Sequence, residues 1–361
     1  MPPLRQLGLT SATCLVIASM VGTGVFTTSG FLIADLGSPG WVILAWLLGG
    51  LIAMLGALCY GSLARAVPGS GGEYLFLRET LHPAAGYVAG WVSLLAGFSA
   101  PVAMAAFGFG EYAGAWLPQV PVKVTGSILL CGFAAVHALH VARGALVQNI
   151  AVVTKLVLLA VFIGFAAGRL AWPEPVAPLG FDRALFAAAL VWVSFSYSGW
   201  NAAVYIGAEI RDPARNLVRS LCLGTGAVTV VYVLVNAVFV LGAPAAEIAG
   251  QVAVAQIVAQ RLGGTALAHG VTAIVLLALA TSVSAMLMAG PRVYARMADD
   301  GLLPAWLRCA SGPPRAGIAL QLAVSLLFLW TNTFAALLSY IGFTLSLSTA
   351  LTVVGLIRKK R

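Results

Sequence analysis

The chain is written in long apolar runs separated by short polar ones. Ten runs reach or approach the roughly 20 mostly apolar residues that cross a hydrocarbon layer as a helix. They are 8–34, 41–66, 84–116, 122–141, 146–168, 183–210, 217–241, 265–297, 316–331 and 334–357. This pattern predicts an all-α polytopic membrane protein, a single transmembrane domain over 1–361 without a soluble domain. The longest polar stretches lie around 64–82, 243–264 and 298–315. The first run follows Arg5, as in a signal peptide, but it is too long for one, has no clear small-residue cleavage site, and is followed by nine more runs. Ten spans divide into two sets of five, about 8–168 and 183–358. Because five is odd, the second set enters the membrane in the opposite sense, which predicts an inverted repeat.

Spans 1 and 6 occupy corresponding places in the two sets, and each is interrupted near its middle. The first carries Val21-Gly22-Thr23-Gly24-Val25-Phe26, the sixth Ser196-Tyr197-Ser198-Gly199-Trp200-Asn201. Glycine lowers the cost of leaving helical geometry and leaves backbone groups uncovered. Such groups are tolerated at membrane depth only where protein, water or a ligand meets them. Glycine pairs also serve close helix packing; the coincidence of two matched breaks is what points to a binding site.

A broken helix suits a zwitterion. The half-helix after a break begins with free N–H groups and the positive end of a dipole; the half-helix before it ends in free carbonyls. At the Gly22 break, the amides of Thr23, Gly24 and Val25, with the Thr23 hydroxyl, are candidates to hold a carboxylate. The carbonyls of Met20, Phe195 and Ser198 are candidates for an ammonium group. Ser196, Gly199 and Asn201 complete the candidate substrate-binding set, and the Phe195 ring is placed to cover the substrate. No Asp or Glu falls in the middle of a predicted span, which fits a ligand that brings both charges itself.

Composition agrees with lipid as the solvent. Hydrophobic residues make up 61% and charged residues 9% of the chain, whereas a water-soluble domain carries about a quarter charged residues. The net charge of +9 could suggest nucleic acid, but its placement argues otherwise. With the N-terminus in the cytoplasm, only Lys123, Arg169, Arg183 and Arg261 fall in loops on the far side. The other loop and tail basic residues collect on the cytoplasmic side, the expected positive-inside pattern. Both termini are thus expected in the cytoplasm, with the chain in the cell inner membrane. The cluster Arg358, Lys359, Lys360 and Arg361 is expected to lie against anionic headgroups of the lipid bilayer.

Other chemistry is sparse. The five cysteines have no paired or metal-like spacing and read as packing residues. His137 and His140 share a helix face, but no Cys or acid completes a metal site. Asp299-Asp300-Gly301 is too short for a calcium loop, and Gly69-Ser70-Gly71-Gly72 lacks the Lys and Ser/Thr of a P-loop. The reading implies no metal, no cofactor, no nucleic-acid partner and no enzyme. Lys155 is the exception: it lies about nine residues into the fifth run, about 14 Å from its end at about 1.5 Å per residue. That is deeper than a lysine side chain snorkels. A buried ammonium needs partners or must lose its proton, so Lys155 is a candidate proton carrier or a fixed substitute for a bound cation.

Several stretches resemble the amino acid/polyamine/organocation superfamily, which has the LeuT-type fold, and the resemblance covers essentially the whole chain. Gly22-Thr23-Gly24-Val25-Phe26 is similar to the family's first-helix motif. Pro68-Gly69-Ser70-Gly71-Gly72-Glu73-Tyr74 resembles its loop after the second helix. The most specific match is Phe195 to Asn201 followed by Gly207-Ala208-Glu209-Ile210-Arg211-Asp212-Pro213, Arg215-Asn216-Leu217 and Arg219. Gly290-Pro291-Arg292-Val293-Tyr294 to Asp300-Gly301-Leu302-Leu303-Pro304 is similar to the eighth helix and its loop. Members commonly have twelve helices, of which the ten predicted here make the complete five-plus-five core.

The resemblance implies a permease: secondary transport of amino acids by alternating access, with helices 1 and 6 unwound at the midplane. It implies cytoplasmic contacts by Glu209, Arg211 and Asp212. It also implies that Lys155 stands where sodium-coupled relatives bind Na⁺, beside the carbonyls of Ala18 or Val21 and the hydroxyl of Ser282. Transport would then be sodium-independent, by symport with protons or by antiport. Asn201 is neutral where some cation-selective relatives place an acid, so neutral L-amino acids are the expected substrates. A sensor that binds an amino acid without net transport would use the same residues, as would an exchanger of polyamines or cationic amino acids.

Overall fold

The computed structural model describes residues 7–139, 144–170, 182–309 and 312–359. Among them the protein is helical throughout, apart from one isolated parallel bridge between Leu7 and Ile210. Eight helices are long and apolar enough to cross a membrane. The two remaining expected spans appear as shorter apolar helices, Arg183–Ser196 and Arg315–Thr331.

The first run is two helices, α1 (Leu9–Met20) and α2 (Thr23–Leu36), parted at Val21 and Gly22. α3 (Pro39–Ala66) follows, begun by a proline whose fixed φ suits a first turn. A short helix, α4 (Glu73–Thr80), folds back before α5 (Pro83–Val92). From α5 the chain runs through a π-helical stretch, Ser93–Ser99, into α6 (Ala100–Ala113). Such wide turns concentrate at functional sites, and periodicity alone gave no sign of this one. Then come α7 (Val122–Leu139) and α8 (Gly144–Ala167).

The sixth run is not one helix over 183–210. α9 (Arg183–Ser196) starts under an Asp182 side chain that accepts from the Ala184 and Leu185 amides at 2.7 and 3.2 Å. It stops at Ser196, and the chain resumes only as a 3₁₀ helix over Ala202–Glu209. α10 (Pro213–Gly242) and the single turn α11 (Ala245–Ile248) lead to α12 (Val254–Asp299). α12 starts earlier than the predicted residue 265 because it continues across a kink at Gly263 and Gly264. α13 (Arg315–Thr331) and α14 (Phe334–Lys359) complete the described chain.

Exposed apolar side chains recur at helical spacing on the outer helices. Leu47, Leu51, Leu55 and Leu58 line one face of α3, and Ile150, Val153, Val157 and Val161 one face of α8. Water would not tolerate such stripes over so many helices, whereas lipid does. The most completely buried spans are Leu9–Leu36, Pro83–Ala113 and Val254–Asp299, so both halves of the broken first helix sit inside the bundle.

Candidate functional site

The two breaks face each other across one cavity of about 350 Å³. Its lining includes Ser19, Met20, Gly22, Thr23 and Gly24 from the first break and every residue from Ser194 to Ala202 around the second. Their approach is close. A Cβ on Gly24 would stand 2.5 Å from Ser196 Oγ and 2.7 Å from Ser196 Cα. Gly199 has φ +98°, and a Cβ there would stand 2.7 Å from the Ser19 carbonyl oxygen. Glycine is required at both positions, by contact at the first and by contact and dihedral at the second.

α2 begins without a side-chain cap, because its N-cap is Gly22. The first amides of a helix have no partner within it, and Thr23 and Gly24 line the cavity. An uncapped, buried helix start is an anion acceptor. Val25, expected beside them, is buried but is not part of the lining.

The carbonyl side departs from expectation. Met20 O already accepts from the Tyr232 hydroxyl at 2.5 Å and from the Gly22 amide at 2.8 Å. Phe195 O accepts from the Ser198 amide at 2.8 Å. Of the three carbonyls expected to hold an ammonium group, those of Met20 and Phe195 are therefore engaged within the protein. Ser196 is engaged as well: its hydroxyl donates to Trp192 O at 3.1 Å and meets Thr28 Oγ1 at 2.8 Å. The Phe195 ring lines the cavity and is nearly buried. The hydroxyls of Ser19 and Ser282, both in the lining, have no hydrogen-bond partner among the described residues.

Tyr232 on α10 was not singled out from sequence. Its hydroxyl lies 2.5 Å from Met20 O and 3.1 Å from Ser196 O. One side chain thus meets the last carbonyls of both half-helices. The first contact spans 212 residues along the chain and the second 36, and no local pattern announces them.

Lys155 is fully buried on α8. Its Nζ donates to Thr281 Oγ1 at 3.0 Å and to Val21 O at 3.4 Å. The hydroxyl partner is Thr281 rather than Ser282, and Ala18 O makes no hydrogen bond to it among the described contacts. Residues 281 and 282 point about 100° apart on a helix: Thr281 turns to α8, while Ser282 turns to the first break, its Oγ 3.0 Å from where a Gly22 Cβ would lie.

A carboxylate also reaches the cavity, which corrects the expectation of a pocket without an acid. Glu73, read as a loop residue, opens α4, is 3% exposed and belongs to the lining. It accepts from the Tyr60 hydroxyl at 2.5 Å, from Asn201 Nδ2 at 3.3 Å and from the Ser348 hydroxyl. Asn201 is thus turned to Glu73, and also to the Tyr205 hydroxyl at 3.4 Å. Away from the cavity, His137 meets Ser284 Oγ at 2.9 Å, and His140 lies outside the described residues.

The profile of one protein family, described as amino acid permease, matches residues 7–361. The chain belongs to the amino acid permease family. It is therefore a multi-pass membrane protein of a transporter family. The chain is similar to the rabbit (Oryctolagus cuniculus) protein named large neutral amino acids transporter small subunit 2, at 29% identity over 97% of this chain and 69% of that one. It is similar to the mouse (Mus musculus) b(0,+)-type amino acid transporter 1, at 31% identity over 64% of this chain and 50% of that one. Among solved structures, a nucleobase-cation-symport-1 family transporter in a closed conformation superposes with a TM-score of 0.67 at 15% identity, covering 97% of this chain and 78% of that one. That likeness concerns the fold.

Proposed function

We propose that this permease is a secondary active transporter of amino acids, working by alternating access with a ten-span, five-plus-five inverted core. The observation that carries the reading is the uncapped start of α2 opening onto the same cavity as the second break. A carboxylate answers that helix start, and the unpartnered Ser19 and Ser282 hydroxyls beside it offer further hydrogen bonds. Relatives named as amino acid transporters support the substrate class. Apolar side chains such as Phe98, Met286 and Leu345 in the lining favour neutral L-amino acids.

The reading extends to coupling. Lys155 joins the first break, at Val21, to α12, at Thr281. A fixed ammonium there occupies the position a metal cation would need, so transport is independent of sodium and proceeds by proton symport or by exchange. The chain lies in the cytoplasmic membrane with both termini inside. Uptake of a labelled amino acid panel into sodium-free proteoliposomes, with and without an inward proton gradient, tests this. Saturable uptake without sodium is expected. Flux that requires sodium would overturn the coupling reading. No flux of any amino acid through folded protein would overturn the transport reading.

A further inference from the structure

The arginines at the end of the molecule proposed to face the cytoplasm divide into two kinds. Arg78 and Arg296 pair with Asp300, and Arg292 with Glu209. Arg65, Arg215 and Arg219 enter no ion pair among the described residues. Arg65 Nε donates to Ala214 O at 2.9 Å, which brings the end of α3 onto the start of α10 and fixes the guanidinium with its terminal nitrogens outward. Arg215 and Arg219 are exposed one turn apart on α10. Asp212, the acid nearest in sequence, pairs with neither of them and makes no side-chain cap to α10.

The three arginines stand at the head of an apolar surface. α3 and α10 pack antiparallel: a Cβ on Gly61 would lie 2.9 Å from Val218 Cγ2, and one on Gly50 2.3 Å from Thr229 Cγ2. The exposed stripe Leu47, Leu51, Leu55 and Leu58 of α3 continues at helical spacing to Arg65, and on α10 Arg215 and Arg219 continue into Leu223, Val230 and Leu234. At about 100° per residue, each stripe lies roughly 90° around from its own contact row, in the same rotational sense. In an antiparallel pair this places both stripes on one side of the contact. A positive-inside bias puts arginines anywhere in the inner loops; it does not by itself align three unpaired ones with a two-helix lipid-facing surface.

We propose that Arg65, Arg215 and Arg219 hold the phosphate of an anionic phospholipid whose acyl chains lie along the α3 and α10 stripes. Guanidinium groups meet phosphate oxygens through two-pronged hydrogen bonds, and basic pockets beside membrane helices favour anionic headgroups. The apolar surface selects a lipid over a free phosphate. From Arg219 to Leu234 the α10 stripe runs about 22 Å at about 1.5 Å per residue, more than the roughly 15 Å that one leaflet's chains fill. The lipid is seated on the helix whose Tyr232 ties the two breaks together.

The test is native mass spectrometry of the delipidated full chain in detergent, titrated with phosphatidylglycerol or with phosphatidylcholine of the same chains, and separately with glycerol phosphate. Phosphatidylglycerol should bind at least about tenfold more tightly than phosphatidylcholine and raise the melting temperature. Glycerol phosphate at the same concentrations should do neither. Arg215→Gln with Arg219→Gln should bring phosphatidylglycerol down to the level of phosphatidylcholine. Lys123→Gln with Arg169→Gln, which removes two charges at other helix ends, should leave the preference intact. Equal binding of the two lipids, an unchanged preference in the Arg215 and Arg219 variant, or equal losses in the two double variants would overturn the proposal. Binding of glycerol phosphate as tight as that of the lipid would also overturn it, in favour of a small-anion site. If the double variant does not fold, Arg219→Gln alone should lose a measurable part of the preference, and an unchanged preference there would count against the site.

Discussion

At the scale of single residues, Lys155 and Asp300 carry charges in different settings. Lys155 has one carbonyl and one hydroxyl as partners and no exposure. Its replacement by Ala removes the link between the first break and α12, so we expect Lys155→Ala either to abolish transport or to leave flux that no longer responds to a proton gradient. Flux with the unmodified protein's rate and pH dependence would contradict this. Asp300 follows α12 and accepts from the Tyr74 hydroxyl at 2.6 Å and from Arg296 at 3.2 Å, with Arg78 as a further ion-pair partner. Burial by itself raises its carboxyl, but the Tyr74 hydrogen bond and the two arginines outweigh this and hold it below its ordinary 3.8. Tyr74 is pushed up to about 12, chiefly by burial. A depressed acid contributes stability that is present above its unfolded pKa and lost as pH falls through its folded one. Asp300→Asn should therefore lower the melting temperature in detergent at neutral pH, and the difference from the unmodified protein should shrink below about pH 3.8. A gap that stays constant across that range would mean the ion pairs contribute nothing.

At the scale of elements, the long helices follow from composition, because an apolar run at membrane depth must satisfy its backbone internally. The breaks were legible for the complementary reason: Gly22, Gly24 and Gly199 stand where a helix would otherwise continue. The partners of those breaks were not legible. Tyr232 and Glu73 meet them through contacts far apart in sequence, Met20 and Tyr232 being 212 residues apart and Glu73 and Asn201 128, and a polar residue in a short loop helix looks the same whether it faces water or a cavity. The π-helical stretch before α6 was equally hidden, since a register change of one residue barely alters an apolar pattern. The close approach at Gly24 supplies a test of how the two broken elements work together. Gly24→Ala would place a methyl against Ser196 Oγ and Cα, of which the Cα is backbone and cannot swing away. Overpacking of this kind costs roughly 1–3 kcal/mol, and here it pushes apart the two elements that line the cavity. We expect Gly24→Ala to express as folded protein of reduced thermal stability, with substrate affinity weakened at least about tenfold. Gly132→Ala on α7, where a Cβ meets nothing within 4 Å, should change neither. Equal behaviour of the two variants in uptake assays would remove the close contact from the argument.

At the scale of the whole molecule, the question is which parts move together. The two broken elements are tied at the cavity by the Gly24–Ser196 and Gly199–Ser19 contacts and by Tyr232. They are tied again at one end: the Leu7 amide donates to Glu209 O at 3.1 Å, and the Arg211 amide to Leu7 O at 2.9 Å. These backbone bonds make the start of α1 and the end of the 3₁₀ segment one piece. Toward α12 the link at this end is of another kind, an ion pair in which Arg292 meets both carboxylate oxygens of Glu209, Nη2 to Oε2 at 3.1 Å. Both side chains are largely covered, and a two-pronged arginine–carboxylate pair is firmer than an ordinary exposed one. It is nonetheless a side-chain contact, which can part and re-form, whereas the backbone bridge cannot part without disrupting the fold. If transport requires the broken pair to rock against α12, a covalent tether at this pair should stop it. In a background lacking the five native cysteines, Glu209→Cys with Arg292→Cys, joined by a short bifunctional thiol reagent, should lose nearly all flux and regain it when a cleavable tether is reduced. Each single variant should be indifferent to the reagent. A tether between Leu7→Cys and Ile210→Cys, across the bridge that stays within one piece, should leave flux largely intact. Arrest by the second tether and not by the first would place the moving boundary between α1 and the 3₁₀ segment instead, and the two broken elements would then be separate gates rather than one body.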